Sequence, residues 1–133
     1  MKDKILTAVI PTHGAPFMKV LPNTLEAFQE EVGGYIEVVP LGTSALMVLN
    51  EEGKLLGLDY NCDYFGDELC GNIVIVGEGG EDFADCPQIF LDMLNIINVG
   101  WSYLKLNGIE FVEPFRSSSV TLALESMRNT RGE

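Results

Sequence analysis

Ile73-Val74-Ile75-Val76, closing the segment Leu69–Val76 (LCGNIVIV), is the stretch whose reading decides the fold. Four consecutive β-branched residues favour a strand, and side chains along a strand alternate between its two faces. A run that is apolar at every position therefore suits a central strand covered on both sides, not one with a solvated face.

Working outward toward the N-terminus, the sequence predicts further strands at Lys4–Ile10 and Phe17–Leu21, joined as a hairpin by the loop Pro11–Pro16 (PTHGAP). Tyr35–Leu41 (YIEVVPL) reads as a strand in which Pro40 marks an edge or an end. Ala45–Leu49 is another, and Asn50-Glu51-Glu52-Gly53 turns the chain into Lys54–Leu58. Between these strands lies a short helix. Asn23 is placed to cap it with Glu26 as a capping-box partner, Leu25, Phe28 and Val32 share one face, and Gly33-Gly34 stops it. Asp59–Glu68 is polar, aromatic and acidic and reads as an extended loop, and Gly77–Asp85 (GEGGEDFAD) as a mobile one.

Beyond Asp85, a capping candidate, and Pro87 in the first turn, Ile89, Phe90, Met93, Leu94, Ile97, Trp101 and Leu104 keep helical spacing, with Gly100 as an end or a kink. Asn107-Gly108 fits either a type I′ hairpin turn or a helix C-cap before a strand; periodicity reaching Leu104 favours the second. Pro114–Ser119 reads as loop and the tail from Asn129 as frayed. The expected architecture is α+β: a mainly antiparallel sheet with one short N-terminal helix and one longer C-terminal helix packed on it, in a single domain, 1–133.

Composition sets further limits. With 133 residues, 47% of them hydrophobic, the chain can bury one real core without metal or disulfide. Twenty acidic residues against eight basic ones give a net charge of −12, and from Glu51 to Asp92 there are eleven acids and one base, Lys54. Such a surface repels nucleic acid and anionic membranes and attracts basic partners. Cys62, Cys70 and Cys86 form no CxxC pair, and His13 is the one histidine, so no zinc spacing is present; reduced thiols and a cytoplasmic location are expected. Ile5–Ile10 is too short for a signal-peptide core. The apolar stretch Ile89–Leu104, broken by Asp92, Asn95 and Asn98, is a core element and not a membrane span.

No motif here carries chemistry. Asp59-Tyr60-Asn61-Cys62-Asp63 opens like an EF-hand loop, but Tyr64 stands where that loop needs glycine and Cys70 where it needs a bidentate Glu. Gly71, Gly77, Gly79 and Gly80 follow or flank a strand as in a phosphate loop, yet Glu78, Glu81 and Asp82 among them would repel the phosphate. His13, Cys62 and Cys70 have no recognisable partner in a nucleophile motif. The reading assigns no catalytic residue, metal ligand or cofactor. It assigns partner binding to Asp59, Asp63, Asp67, Glu68, Glu78, Glu81, Asp82 and Asp85, the partner being a protein with a basic surface, with no direct contact to nucleic acid or membrane.

The strings NTLEAFQEEVGGYIEVV and NEEGKLLGL, followed by a short apolar strand ending IVG, resemble an uncharacterised family of small proteins, a domain of unknown function met mainly in phages, plasmids and other mobile elements of bacteria. The resemblance runs over Asn23–Gly77, within a family-like part of about the first 85 residues. From there to about residue 128 the chain reads as an added helix and strand. The resemblance implies an accessory or host-interaction role in a bacterial cytoplasm and transfers no catalytic residue. The expected function is a non-enzymatic binding protein that engages a basic host or element protein, one version being a nucleic-acid-mimicking inhibitor. The alternative is a small-ligand or metal-ion binder with Asp59–Glu68 and Gly77–Asp85 at the mouth of its pocket.

Overall fold

Ile73, Val74, Ile75 and Val76 are all completely buried, because they form the middle strand of a six-stranded sheet with cover on both faces. A computed structural model describes residues 3–95, Gly108 and residues 113–128. In chain order the strands are β1 (Lys4–Ile10), β2 (Phe17–Pro22), β3 (Ile36–Leu41), β4 (Ala45–Asn50), β5 (Tyr60–Tyr64), β6 (Asp67–Cys70), β7 (Ile73–Gly79) and β8 (Asp82–Ala84). The helices are α1 (Leu25–Val32), α2 (residues 88–95) and α3 (Glu113–Arg128). The main sheet runs β2-β1-β7-β4-β3 with β8 beside β7, all antiparallel, while β5 and β6 pair separately. Pro40 does lie on an edge strand, β3, where its missing N–H costs no ladder bond inside the sheet.

The two-residue period sorts the core into two layers. Val74 and Val76, with Ile5, Leu21 and Val48, meet Phe28 and Val32 of α1. Ile73 and Ile75, with Ala8, Ile10, Met47 and Leu49, meet Cys62 of β5, Phe90, Leu91 and Leu94 of α2, and Val120, Leu124 and Met127 of α3. Phe83 of β8 closes the first layer edge-on against Phe28, with 5.0 Å between ring centroids. No helix among the described residues is long and apolar enough to cross a membrane.

Helix α1 is where the sequence placed it, but its cap is Thr24, whose hydroxyl accepts from Ala27 N. Asn23 is instead committed to β8, donating from its amide to Phe83 O at 3.0 Å. Leu25, in the first turn, is 54% exposed; Phe28 and Val32 are buried. Gly33 ends the helix with φ +80° and donates to Gln29 O, as an αL stop should.

Five segments differ from expectation. Lys54–Leu58 is no strand: Asn50 Oδ1 accepts from Glu52 N, and successive turn bonds (Leu56 N to Glu52 O, Gly57 N to Lys54 O, Leu58 N to Gly53 O) wind the loop on itself. Asp59–Glu68 is a hairpin, β5 to β6, closed by Phe65-Gly66 with φ +49° and +86°, the signature of a type I′ turn. The predicted strand Leu69–Val76 is thereby split between β6 and β7, with the chain reversing at Gly71-Asn72. Gly77–Asp85 is also a hairpin. Its glycines let β8 close on β7, since a Cβ on Gly77 would stand 2.2 Å from Asp85 O. Pro114–Ser119 belongs to α3, because Pro114 sits in the first turn, where no N–H is required. The predicted helix continues through Phe90 and Leu94, with Pro87 O receiving its first bonds from Phe90 and Leu91, while Asp85 Oδ1 accepts from Leu6 N. Its extension to Leu104, the strand after Gly108 and the tail from Asn129 lie outside the described residues.

Candidate functional site

The β5–β6 hairpin is polar yet firmly held, and α3 is what holds it. Four helix residues rise about 6 Å and two strand residues about 6.6 Å, so every fourth side chain of a helix can meet alternate residues of a strand edge. Ser117, Thr121 and Glu125 do this along β5. Ser117 Oγ donates to Asn61 O at 2.8 Å. Thr121 Oγ1 accepts from Asp63 N at 3.0 Å and donates to Asp63 O at 2.6 Å. Glu125 Oε2 accepts from Phe65 N at 3.0 Å. An edge that would otherwise present bare backbone is thus closed by side chains. At the tip, Phe65 packs edge-on against Tyr64, and the Arg128 guanidinium lies 4.2 Å from its ring centroid.

The base of the hairpin is fixed by a buried polar node. Asn61, fully buried next to a bulge in the β5–β6 register, donates its amide to Ile10 O and to Gly71 O. Arg116, also fully buried, donates from Nη2 to Thr12 O, Asn61 O and Asn61 Oδ1. Cys62 beside it is buried, and desolvation pushes its thiol up to about 12, opposed only in part by the Arg116 charge. Cys86 is likewise pushed up to about 12 by burial. The three cysteines are free thiols; the two buried ones are held protonated and shielded.

The eight acids predicted to bind a partner divide between two hairpins. Asp59, Asp63, Asp67 and Glu68 belong to β5–β6, which is anchored where β7 begins; Glu78, Glu81, Asp82 and Asp85 belong to β7–β8, where β7 ends. Several are already engaged. Asp59 meets His13 Nε2 at 2.9 Å in an exposed pair, and Asp63 accepts from Tyr60 OH at 3.1 Å. The Tyr60 phenol is pushed up to about 12 by burial first, then by that bond and the Asp63 charge. Glu78 accepts from Gly80 N, and Asp85 from Leu6 N. Asp67 and Glu68 make no side-chain hydrogen bond or ion pair among the described residues, and Glu68 stands directly opposite Asp63 across the hairpin.

What the sequence reading missed lies beside that pair. Glu37 from β3, with Glu51 and Glu52 from the turn after β4, joins Asp67 and Glu68 in lining a cleft of about 310 Å3, and Lys54 is the one base among its described lining residues. Glu51 and Glu52 were legible as part of the acidic run, but Glu37 is brought in only by the β3–β4 pairing. Among the described residues, no three His, Cys, Asp or Glu side chains converge as a metal site. Of the EF-hand-like opening, Tyr60–Asp63 lies in β5, where Asn61 is buried with its amide committed to Ile10 O and Gly71 O, while Asp59 meets His13 and Asp63 meets Tyr60, so the three do not ring one ion.

Fold and surface together define an α+β domain with an antiparallel sheet between helices and an acidic cleft at one edge. The chain belongs to DUF3846, a domain of unknown function, whose family model matches residues 5–95, from β1 through the described part of α2. The helix that closes the β5 edge, α3, lies outside that match. Comparison with curated proteins gives no match, and neither does comparison with solved structures.

Proposed function

We propose that this chain is a non-enzymatic accessory binding protein of a phage or mobile element that engages a basic partner protein through its acidic surface. The observation that carries the reading is the cleft lined by Glu37, Glu51, Glu52, Asp67 and Glu68, with Lys54 the one base among its described lining residues. Carboxylates held on paired strands and a closed turn cannot spread apart as they would on a disordered tail, so their potentials add. Such a field steers basic partners into encounter and repels acidic ones. Carboxylates displayed in this way also stand where a nuclease or restriction complex expects phosphates, which is the nucleic-acid-mimic form of the same reading. The buried, protonated Cys62 and Cys86 are poor nucleophiles, so neither offers a reactive thiolate. The test is affinity capture on the immobilised protein from a bacterial lysate, washed at low and then high salt. The expected result is retention of a basic protein that elutes as salt rises. Retention of nothing, or of partners indifferent to salt, would overturn it.

A further inference from the structure

The loop from Glu51 to Leu58 presents apolar side chains where a soluble surface has no need of them. Leu55 is 82% exposed, Leu56 57% and Tyr35 69%. Single exposed leucines are ordinary, but here two adjacent ones form a ridge between two clefts. Leu55 borders the acidic cleft, while Leu56 and Tyr35 border a second cleft of about 340 Å3 at the end of α1. The ridge is also rigid. Its turn bonds are internal, Asn50 ties it to Val32 O, and Gly53 is seated so tightly that a Cβ there would stand 2.4 Å from Cys70 O. Apolar anchors on a preorganised loop lose little conformational entropy when they bind.

We propose that this ridge is the docking surface for one kind of partner: a segment of another protein that alternates apolar and basic side chains. Its apolar groups would sit over Leu55, Leu56 and Tyr35, and its lysines or arginines would enter the cleft between Glu51, Glu52, Asp67 and Glu68. Charge complementarity selects this occupant. The cleft repels an acidic segment, and it repels a second copy of a chain whose net charge is −12. The inference rests on the acidic-surface reading and adds to it the apolar half of the contact and the place where it is made.

The experiment titrates the isotopically labelled full chain with a synthetic amphipathic Lys/Leu peptide, and with a Lys/Ala peptide of equal charge, following backbone amide shifts and affinity. The Lys/Leu peptide is expected to shift amides of Tyr35, Glu51–Leu58 and Asp67–Cys70 and to bind about tenfold more tightly than Lys/Ala. Leu55→Ser with Leu56→Ser should remove that tenfold advantage, while Leu25→Ser, an exposed leucine on α1, should keep it. All three side chains are at the surface, so an unchanged thermal midpoint shows that folding is intact. Equal binding of the two peptides, or an advantage surviving the double substitution, would overturn the ridge and leave the acidic surface standing. No binding of either peptide at low salt would overturn both. A dimer of the parent chain that the double substitution dissociates would assign the ridge to self-association and overturn the proposal.

Discussion

Arg116→Met removes the largest fully buried side chain in the described structure and replaces it with an apolar one of related shape. Three acceptors lose the guanidinium. Asn61 O keeps Ser117 Oγ at 2.8 Å, so its loss is small, but the buried Asn61 Oδ1 and the part-buried Thr12 O lose a charged donor. Leaving a buried acceptor unsatisfied costs about 1–3 kcal/mol. One buried and one part-buried acceptor, less the relief of no longer burying a charge, give a loss of about 3 kcal/mol. With a urea slope of about 1.5 kcal/mol per molar, the midpoint of unfolding should fall by about 2 M. Arg116→Lys should recover less than half of this, because one ammonium group lacks the planar fork that reaches Thr12 and Asn61 together. Amide exchange at Asn61 and Asp63 should quicken in both variants as the hairpin base loosens. A loss below about 0.5 kcal/mol with unchanged slope would refute the node as the anchor of β5.

Thr24→Ala should cost about 1 kcal/mol through its lost cap, and a neutral result in thermal melts would return the cap to another residue. Gly77→Ala should cost more than about 3 kcal/mol or prevent folding, since the new Cβ meets backbone at Asp85 O; a melt like the parent's would show that β8 is not so close. The buried thiols predict a pH dependence. Cys62 and Cys86 stay protonated in the folded chain up to about 12, whereas unfolded thiols ionise near 9. Above that value the unfolded state binds fewer protons, so stability is fully present below about pH 9 and falls as pH rises toward 12. Urea melts at pH 8 and pH 10.5 should show the fall, and Cys62→Ala should reduce it; a rise would contradict the burial.

The parts of the fold legible in the sequence were those where burial writes a period. Ile73–Val76 announced a strand covered on both faces, and Phe28 and Val32 announced the face of α1. Misreadings arose where distant contacts decide. Asn23 and Thr24 are both good caps, and the choice was settled by a bond from Asn23 to Phe83, sixty residues away. Strand β5 shows no apolar alternation, because a bulge buries Asn61 and Cys62 together and its other side chains are acidic or aromatic. Its outer edge is satisfied by Ser117, Thr121 and Glu125, which reach it only through the fold. Pro114 and the serines at 117–119 made 114–119 look like loop, although Ser117, Thr121 and Glu125 on one stripe and Val120, Leu124 and Met127 on another keep helical spacing. The acidic cleft was half visible: Glu51, Glu52, Asp67 and Glu68 stood out by charge, but nothing local placed Glu37 beside them.

The central claim, that the acidic cleft is the partner-binding surface, is tested most directly by neutralising each half of the acidic run separately. One variant carries Glu51→Gln, Glu52→Gln, Asp67→Asn and Glu68→Gln; the other carries Glu78→Gln, Glu81→Gln and Asp82→Asn. Both should fold, and the first should gain stability, because like charges such as Asp63 and Glu68 directly opposed across β5–β6 repel. Capture of the basic, salt-eluted partner is the readout. The account predicts that the cleft variant loses capture, chiefly through slower association, while the β7–β8 variant retains it. Capture that survives neutralisation of the cleft would contradict the claim.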